Sequence, residues 1–293
     1  LLPPKGAFSM QIVENPRELQ TLALQARAAG RTVALVPTMG NLHEGHLSLV
    51  RIARRHADFV IVSDFVNPTQ FGPNEDFDSY PRTFEQDADL CRAESVDLLF
   101  HPDPAAMYAA DASVSLIETD LSRYLCGASR PIHFNGVCTV VAKLFLLAQP
   151  HVAVFGEKDA QQLAVIRRMV RDLFFPVEII PAPISREPDG LARSSRNRYL
   201  TPAQRAQAPV LHRSLQAAKA LFNSGERRVS ALLDAVQAVL STAPDANVEY
   251  ATLSDATTLA PLSRDAILSA PVLLALAVRF GTTRLIDNVT LTP

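Results

Sequence analysis

Short apolar runs alternate with segments of helical period along the first two thirds of the chain. TVALVPT (32–38) is a continuous apolar run that predicts a buried strand. HLSLVRIARRHA (46–57) follows, with Leu49, Ile52 and Ala53 at i, i+3 and i+4, and predicts a helix. FVIVSDFVN (59–67) predicts a second strand, stopped by Pro68. TFEQDADLCRAES (83–95) reads as helix, VDLLFHP (96–102) as strand, and GVCTVVAKLFLLAQP (136–150) as an apolar helix ended by proline. VAVFGEKD (152–159) is a strand with a glycine turn, DAQQLAVIRRMVRDL a helix, and VEIIPAP (177–183) a strand. Strands and helices in this alternation predict parallel βαβ units with helices on both sheet faces.

The pattern changes after REPDGLARSSRNRYL (186–200). Thr201, Pro202 and Gln204 stand as N-cap, first residue and third residue of a helix, and a long Ala-rich helix is expected to follow. A further helix is expected near 229–241, then strand-like runs in VEYATL, APVLLALAVRF and TRLIDNVTL. The expected architecture is α/β: a Rossmann-like parallel-sheet domain over 10–186 and a smaller α+β domain over 187–293.

Composition narrows the functional classes. A chain of 293 residues with 48% hydrophobic positions can fill one large core or two smaller ones. A net charge of −2 gives no basic surface for nucleic acid or an anionic membrane. No apolar run approaches the roughly 18–20 residues of a membrane span. The three cysteines, Cys91, Cys126 and Cys138, are odd in number and not at metal-ligand spacing, which suits a reducing compartment. LLPPKGAFS at the start lacks a signal-peptide core and reads as leader, with Met10 a natural start.

Against this background PTMGNLHEGHLSLV (37–50) is conspicuous, since it spends two histidines and two glycines on one strand end. In an open parallel sheet, ligands bind beyond the carboxyl ends of the strands. Gly40 allows a tight turn, and Gly45 lets a ligand approach the backbone. His43 and His46 lie one turn apart at a helix start, where N–H groups and the dipole favour phosphate. The plainer reading is a strand–turn–helix with packed or surface histidines.

The stretch resembles the H-x-G-H signature of the nucleotidyltransferases. VSDFVNPTQFGPNEDFDSYPRT, GASRPIHFNGVCTVVAKLF, FGEKDAQQL and DGLARSSRNRYL follow in the order found in the pantoate–β-alanine ligase family. The likeness runs from about Met10 to LIDN near the end. It implies an ATP-dependent ligase in which the pantoate carboxylate attacks the α-phosphorus. That gives pantoyl adenylate and pyrophosphate, and the β-alanine amine then displaces AMP. It also implies Mg²⁺ arriving with ATP, no organic cofactor, a homodimer and a C-terminal domain acting as a lid; the sequence itself shows no dedicated metal-ligand cluster, and its cysteines suit a cytoplasmic location. The alternatives are an H-x-G-H nucleotidyltransferase that makes a dinucleotide cofactor, and a non-catalytic nucleotide-binding regulator.

Carried over residue by residue, the resemblance puts Met39, Gly40, Asn41, Leu42, His43, Glu44, Gly45 and His46 at ATP. His46, expected one residue into the helix, would donate to the phosphate, and His43 would contact the phosphates. Gln70 would orient pantoate and sit near β-alanine; otherwise it is a solvated loop residue. Asn67 and Tyr80 are lesser candidates. Gly156, Glu157, Lys158 and Asp159 would meet ATP and Gln162 pantoate, although Asp159 and Gln162 also have capping-box spacing. Ser185 would lie near adenine. Arg193, Ser194, Ser195 and Arg196 would be the counterpart of a K-M-S-K-S-type loop; otherwise they form a polar linker. His46, His43, Lys158 and Arg196 are the residues assigned to catalysis, and Arg130 and Lys143 are further cations. The chain departs from the family pattern at Asp64, usually apolar, at Ile132, usually glycine, and at Arg193, usually Leu or Met.

Overall fold

The structure is a computed structural model describing residues 10–73 and 75–293; the expected leader, 1–9, lies outside the described residues. In chain order the regular elements begin β1 (Gln11–Val13), α1 (Pro16–Ala28), β2 (Val33–Thr38), α2 (Glu44–His56) and β3 (Phe59–Asp64). Next come α3 (Phe84–Ala93), β4 (Leu98–Phe100), α4 (Pro104–Met107), α5 (Leu125–Ser129), α6 (His133–Ala148) and β5 (Val152–Gly156). Then follow α7 (Ala160–Asp172), β6 (Glu178–Ala182), α8 (Pro202–Gln207), α9 (Val210–Asn223) and α10 (Val229–Leu240). The chain ends with β7 (Ala246–Asp255), β8 (Val272–Phe280) and β9 (Thr283–Leu291).

β1 to β6 form one parallel sheet in the order β1-β4-β3-β2-β5-β6. β3 is buried at every position and β2 at all but Pro37, as expected of central strands covered on both faces. On one face Ala34, Val36, Val60, Val62 and Leu99 pack with Val50 and Ala53 of α2 and Ala88 and Cys91 of α3. On the other lie α1 and α6. Each fully buried Leu or Ile contributes roughly 1.5–3 kcal/mol. From β2 the chain goes outward through β3 and β4, then returns to add β5 on the opposite side of β2. The β2/β5 boundary is therefore the topological switch point, where open α/β sheets bind ligands.

β1 and α1 were not among the expected elements. Asn15 caps α1 by accepting from the N–H groups of Arg17 and Glu18, and Pro16 stands at its first position, a start signal that is plain in retrospect. The expected long helix after Thr201 is two helices. The capping box of Thr201 and Gln204 forms as predicted, but Pro209 cannot continue the ladder, so α8 stops after six residues and α9 restarts.

The chain divides into two compact units. The first comprises the described residues up to 118 together with 130–157 and 165–183; the second comprises 119–129, 158–164 and 184–293. In the second unit β7, β8 and β9 form an antiparallel sheet. Leu274, Leu276, Val278, Leu285 and Leu291 of that sheet pack with Leu211, Leu215 and Ala218 of α9 and Leu232 and Val236 of α10. No helix among the described residues is long and apolar enough to cross a membrane.

Candidate active site

PTMGNLHEGH leaves β2 at the switch point. Thr38 donates its hydroxyl to the Ser63 carbonyl (2.7 Å) and accepts from the Gly40 N–H (3.2 Å), which turns the chain. Gly40 has φ +74° and Asn41 φ +49°. A Cβ at Gly40 would stand 2.3 Å from Asp64 Oδ1, so glycine is required for close approach as well as for turning. Asp87, fully buried on α3, accepts from the N–H of Asn41 (2.8 Å), the N–H of Leu42 (2.7 Å) and the Thr83 hydroxyl (3.0 Å). One distant carboxylate thus fixes the loop that carries the histidines.

The helix starts at Glu44, two residues earlier than expected, because His43 caps it. His43 Nδ1 accepts from the Gly45 N–H (3.1 Å), and His46 Nδ1 accepts from the His43 N–H (3.3 Å). His46 is therefore the third helical residue, and two imidazoles replace the usual Ser and Glu of a capping box. A neutral imidazole accepting at Nδ1 carries its proton on Nε2. Both rings are thus set in the tautomer that donates from Nε2, with centroids 4.1 Å apart. Glu44 is exposed, and its carboxylate pairs with Arg51 at 2.5 Å; Met39, Asn41 and Gly45 are half-buried, and Leu42 is buried.

Gln70 is buried in a short 3-10 turn, Pro68–Gln70, and is not a solvated loop residue. Its Nε2 donates to Met39 Sδ (2.9 Å) and its Oε1 accepts from Asn67 Nδ2 (3.0 Å), so Met39 and Gln70 are brought together. Its carbonyl accepts from His133 Nδ1 (2.9 Å) and Arg130 Nη2 (3.3 Å). A Cβ at Gly136 would come within 2.4 Å of the Thr69 carbonyl, so α6 presses directly on this turn. Asn67 also accepts from the Tyr108 hydroxyl (2.7 Å), while Tyr80 joins Phe71 and Phe77 in an aromatic cluster. Burial would raise the Glu75 carboxyl, but hydrogen bonds and charge from Arg130 hold it below the ordinary range. Arg130 is thus spent on Glu75 and on Gln70, and Lys143 donates to the Met107 carbonyl (2.6 Å).

The other expected residues lie at the end of β5 and in the second unit. Gly156 has open space beside it, and Glu157 is exposed. Lys158 and Asp159 continue in a 3-10 turn that runs into α7, with Lys158 Nζ 3.8 Å from Asp159. Among the described residues neither Asp159 nor Gln162 makes a capping bond, and Gln162 is half-buried. Its neighbour Gln161 is the anchored one, donating to the carbonyls of Leu121 and Tyr124. In the RSSR loop, Ser194 caps a 3-10 turn by accepting from the Arg196 N–H (3.3 Å). Ser195 is buried, and the Ser185 carbonyl accepts from the Arg193 N–H (2.9 Å).

Two departures from the family pattern are absorbed locally. Ile132 stands before α6 at φ −93°, a conformation open to any residue, so the turn at His133 does not require glycine. Arg193 is neutralised by Glu187 at 3.1 Å. The third is expensive: Asp64 is buried, Oδ2 accepts no hydrogen bond, and His101 Nδ1, which bonds the Asp64 main-chain carbonyl, lies 3.8 Å from it. Burial first, then the Asp87 charge, push its carboxyl up to about 6, and His101 opposes this. Asp87, Asp64 and His133 were not among the residues expected to act; Asp87 had no sequence signal, being more than forty positions from the amides it holds. Among the described residues no group of three or more His, Cys, Asp or Glu is placed to hold a metal ion.

Known proteins bear directly on this arrangement. A sequence profile described as Pantoate-beta-alanine ligase matches residues 11–290. A pantothenate synthetase of Geobacter sulfurreducens is 52% identical over 95% of this chain and 98% of its own length. A pantothenate synthetase structure from Thermus thermophilus superposes with TM-score 0.90 at 47% identity, covering 97% of this chain and all of that one. A Francisella tularensis pantoate-beta-alanine ligase, complexed with beta-gamma ATP and beta-alanine, gives TM-score 0.77 at 32% identity over 96% of this chain and 97% of that one. Matched along nearly its whole length to one profile, and about half identical to relatives it covers almost end to end, the chain belongs to the pantoate–β-alanine ligase family.

Proposed function

We propose that this chain forms its amide through pantoyl adenylate, with the paired histidines after β2 as the phosphate-handling centre. The overall reaction, joining pantoate to β-alanine with ATP cleaved to AMP and pyrophosphate, follows from its family. The observation that carries the mechanism is the reciprocal capping box of His43 and His46. It presets two Nε2–H donors at a helix N-terminus, beside the switch point of the sheet. A pantoate carboxylate oxygen attacks the α-phosphorus, and the bond to the bridging oxygen breaks as pyrophosphate leaves. His46 donates to the α-phosphate as negative charge builds, His43 contacts the neighbouring phosphates, and Lys158 and Arg196 supply cations to the chain of phosphates. Mg²⁺ enters as part of the MgATP substrate, held mainly by phosphate oxygens. The β-alanine amine then attacks the acyl carbon, AMP leaves, and the amine's proton is released. Gln70 suits pantoate because its amide is buried, fixed by Asn67 and able to donate as well as accept.

Enzyme with MgATP and pantoate but no β-alanine should exchange labelled pyrophosphate into ATP; with β-alanine in place of pantoate it should not. Exchange that required β-alanine would overturn the adenylate. We also read the chain as a cytoplasmic homodimer. The compartment is supported by three unpaired cysteines, of which burial pushes Cys91 and Cys138 up to about 12. The dimer is supported by the exposed Val114 and Ile117 in an irregular stretch, and light scattering at a single-chain mass would exclude it.

A further inference from the structure

β9 carries two adjacent polar residues that are both buried, Asp287 (2% exposed) and Asn288 (8%). Neighbours on a strand point to opposite faces. Asp287 shares its face with Leu285 and Leu291, members of the second unit's apolar core. A carboxylate there is costly, and a buried ion pair is often no better for stability than an apolar pair of the same volume. Its retention calls for another reason, and its contacts supply one.

Asp287 accepts both ends of the Arg186 guanidinium, Nη1 at 2.7 Å and Nη2 at 2.9 Å, a bidentate geometry that fixes orientation as well as charge. Arg186 in turn closes the loop that leads to RSSR. Its Nη1 donates to the Gly190 carbonyl (3.0 Å), and its own carbonyl accepts from Arg193 Nε (3.3 Å). The turn can sit this close to α9 only because residue 190 is glycine: a Cβ would meet His212 at 2.4 Å. Downstream, Asn197 Nδ2 donates to the Ala192 carbonyl (3.0 Å), tying the two limbs of the segment together. On the other face of β9, Asn288 Nδ2 donates to the Lys158 carbonyl (2.9 Å). The Asn288 N–H donates to Asp287 Oδ1 (2.8 Å), so the two anchors are joined. Two consecutive residues of one strand thus hold both cationic segments assigned to the nucleotide.

We infer that Asp287 and Asn288 are positioning residues for ATP: Asn288 sets the main chain of Lys158, and Asp287, through Arg186, sets the segment that presents Arg193 to Arg196. The inference rests on the reading that Lys158 and Arg196 serve the phosphates. Neither residue need touch substrate. Their loss should move the KM for ATP and leave that for pantoate in place.

The test compares Asn288→Ala, Asn288→Asp, Lys158→Ala and the double variant Asn288→Ala/Lys158→Ala, reading KM for MgATP, KM for pantoate, pyrophosphate exchange and Tm. Asn288→Asp keeps the shape but cannot donate to the Lys158 carbonyl. Both Asn288 variants should raise the KM for MgATP about tenfold, with the pantoate value within about twofold; Tm should change little in Asn288→Ala and fall in Asn288→Asp, which buries a carboxylate beside Asp287. If Asn288 acts through Lys158, the double variant should exchange pyrophosphate no more slowly than Lys158→Ala alone, within about twofold. An apolar pair, Arg186→Met with Asp287→Leu, should keep Tm and still raise the KM for MgATP. Unchanged KM for MgATP in folded variants, or equal rises in both KM values with a fallen Tm, would overturn the inference. Normal exchange in Lys158→Ala would instead overturn the assignment of Lys158 on which it rests.

Discussion

The histidine loop after β2 and the RSSR loop are built in opposite ways. The first is organised mostly by its own sequence: Gly40 turns the chain, and His43 and His46 cap each other three residues apart. Asp87 holds its amides from a distance, and Gln70 reaches Met39. The second is capped from within by Ser194, but its approach is held by Asp287 on a strand about one hundred positions later. In a self-capped site short-range geometry fixes most of the donors. A loop held from a distant strand is exact only while that strand is in place, and its guanidiniums keep long rotatable stems.

If the first loop is the preset centre, removing one of its donors should have the largest effect. His46→Ala should cut pyrophosphate exchange by about 10²–10³-fold, the scale for one preorganised donor at developing charge. It also removes the acceptor for the His43 N–H, which should cost about 1 kcal/mol of stability. A variant that melts like the parent and forms pantoyl adenylate at a near-normal single-turnover rate would remove the histidines from the centre of the reaction.

That difference also governs how much could be read in advance. The alternation of apolar runs carries the parallel sheet, because a buried strand and an amphipathic helix each write their period into neighbouring positions. The H-x-G-H pair stood out because its two histidines lie only three positions apart. What escaped depends on long separations: Asp87 on the amides of Asn41 and Leu42, His133 on the Gln70 carbonyl, and Asn288 on the Lys158 carbonyl. The early start of α2 was subtler, since histidine is a rare cap and the reciprocal bonds of His43 and His46 begin the helix two residues sooner.

The first loop pays for its rigidity at Asp64, whose oxygen lies beneath Gly40. Its carboxyl sits at about 6 in the fold against an ordinary 3.8, so the native state holds the proton more tightly than the unfolded chain. Stability from this group therefore falls as pH rises from about 4 to about 6 and stays reduced above that. At roughly 1.4 kcal/mol per pH unit the loss is about 3 kcal/mol. In urea melts, Asp64→Asn should gain on the parent across that window and hold its advantage at pH 8. A difference between the two that stays constant from pH 4.5 to 8 would show that burying this carboxylate costs nothing.

Gln70 belongs with the preset side of the comparison, because Asn67 fixes its amide and His133 its carbonyl. Gln70→Ala should raise the KM for pantoate about tenfold, the scale of a buried amide pairing with a carboxylate and hydroxyl, and leave that for ATP nearly unchanged. Calorimetry showing lost ATP binding with pantoate binding intact would move Gln70 to the nucleotide.

The smallest effect is expected at Arg193 in the held loop. Added charge beside a polyphosphate ought to tighten binding. Here, however, the charge is already answered by Glu187 at 3.1 Å, and Nε donates to the Arg186 carbonyl. To reach a phosphate, Arg193 would have to leave both partners, and a partly exposed ion pair returns only about 0–1 kcal/mol. Arg193→Leu should therefore change the KM for MgATP by less than about threefold at low salt, and by less still at high salt as screening grows. Glu187→Gln is the sharper probe, since it releases Arg193 from its partner. It should tighten MgATP slightly in the parent and do nothing in the Arg193→Leu background. A tenfold loss of ATP affinity in Arg193→Leu alone would mean that this arginine grips the nucleotide directly, and that the held loop depends on its side chains as strictly as the self-capped one does.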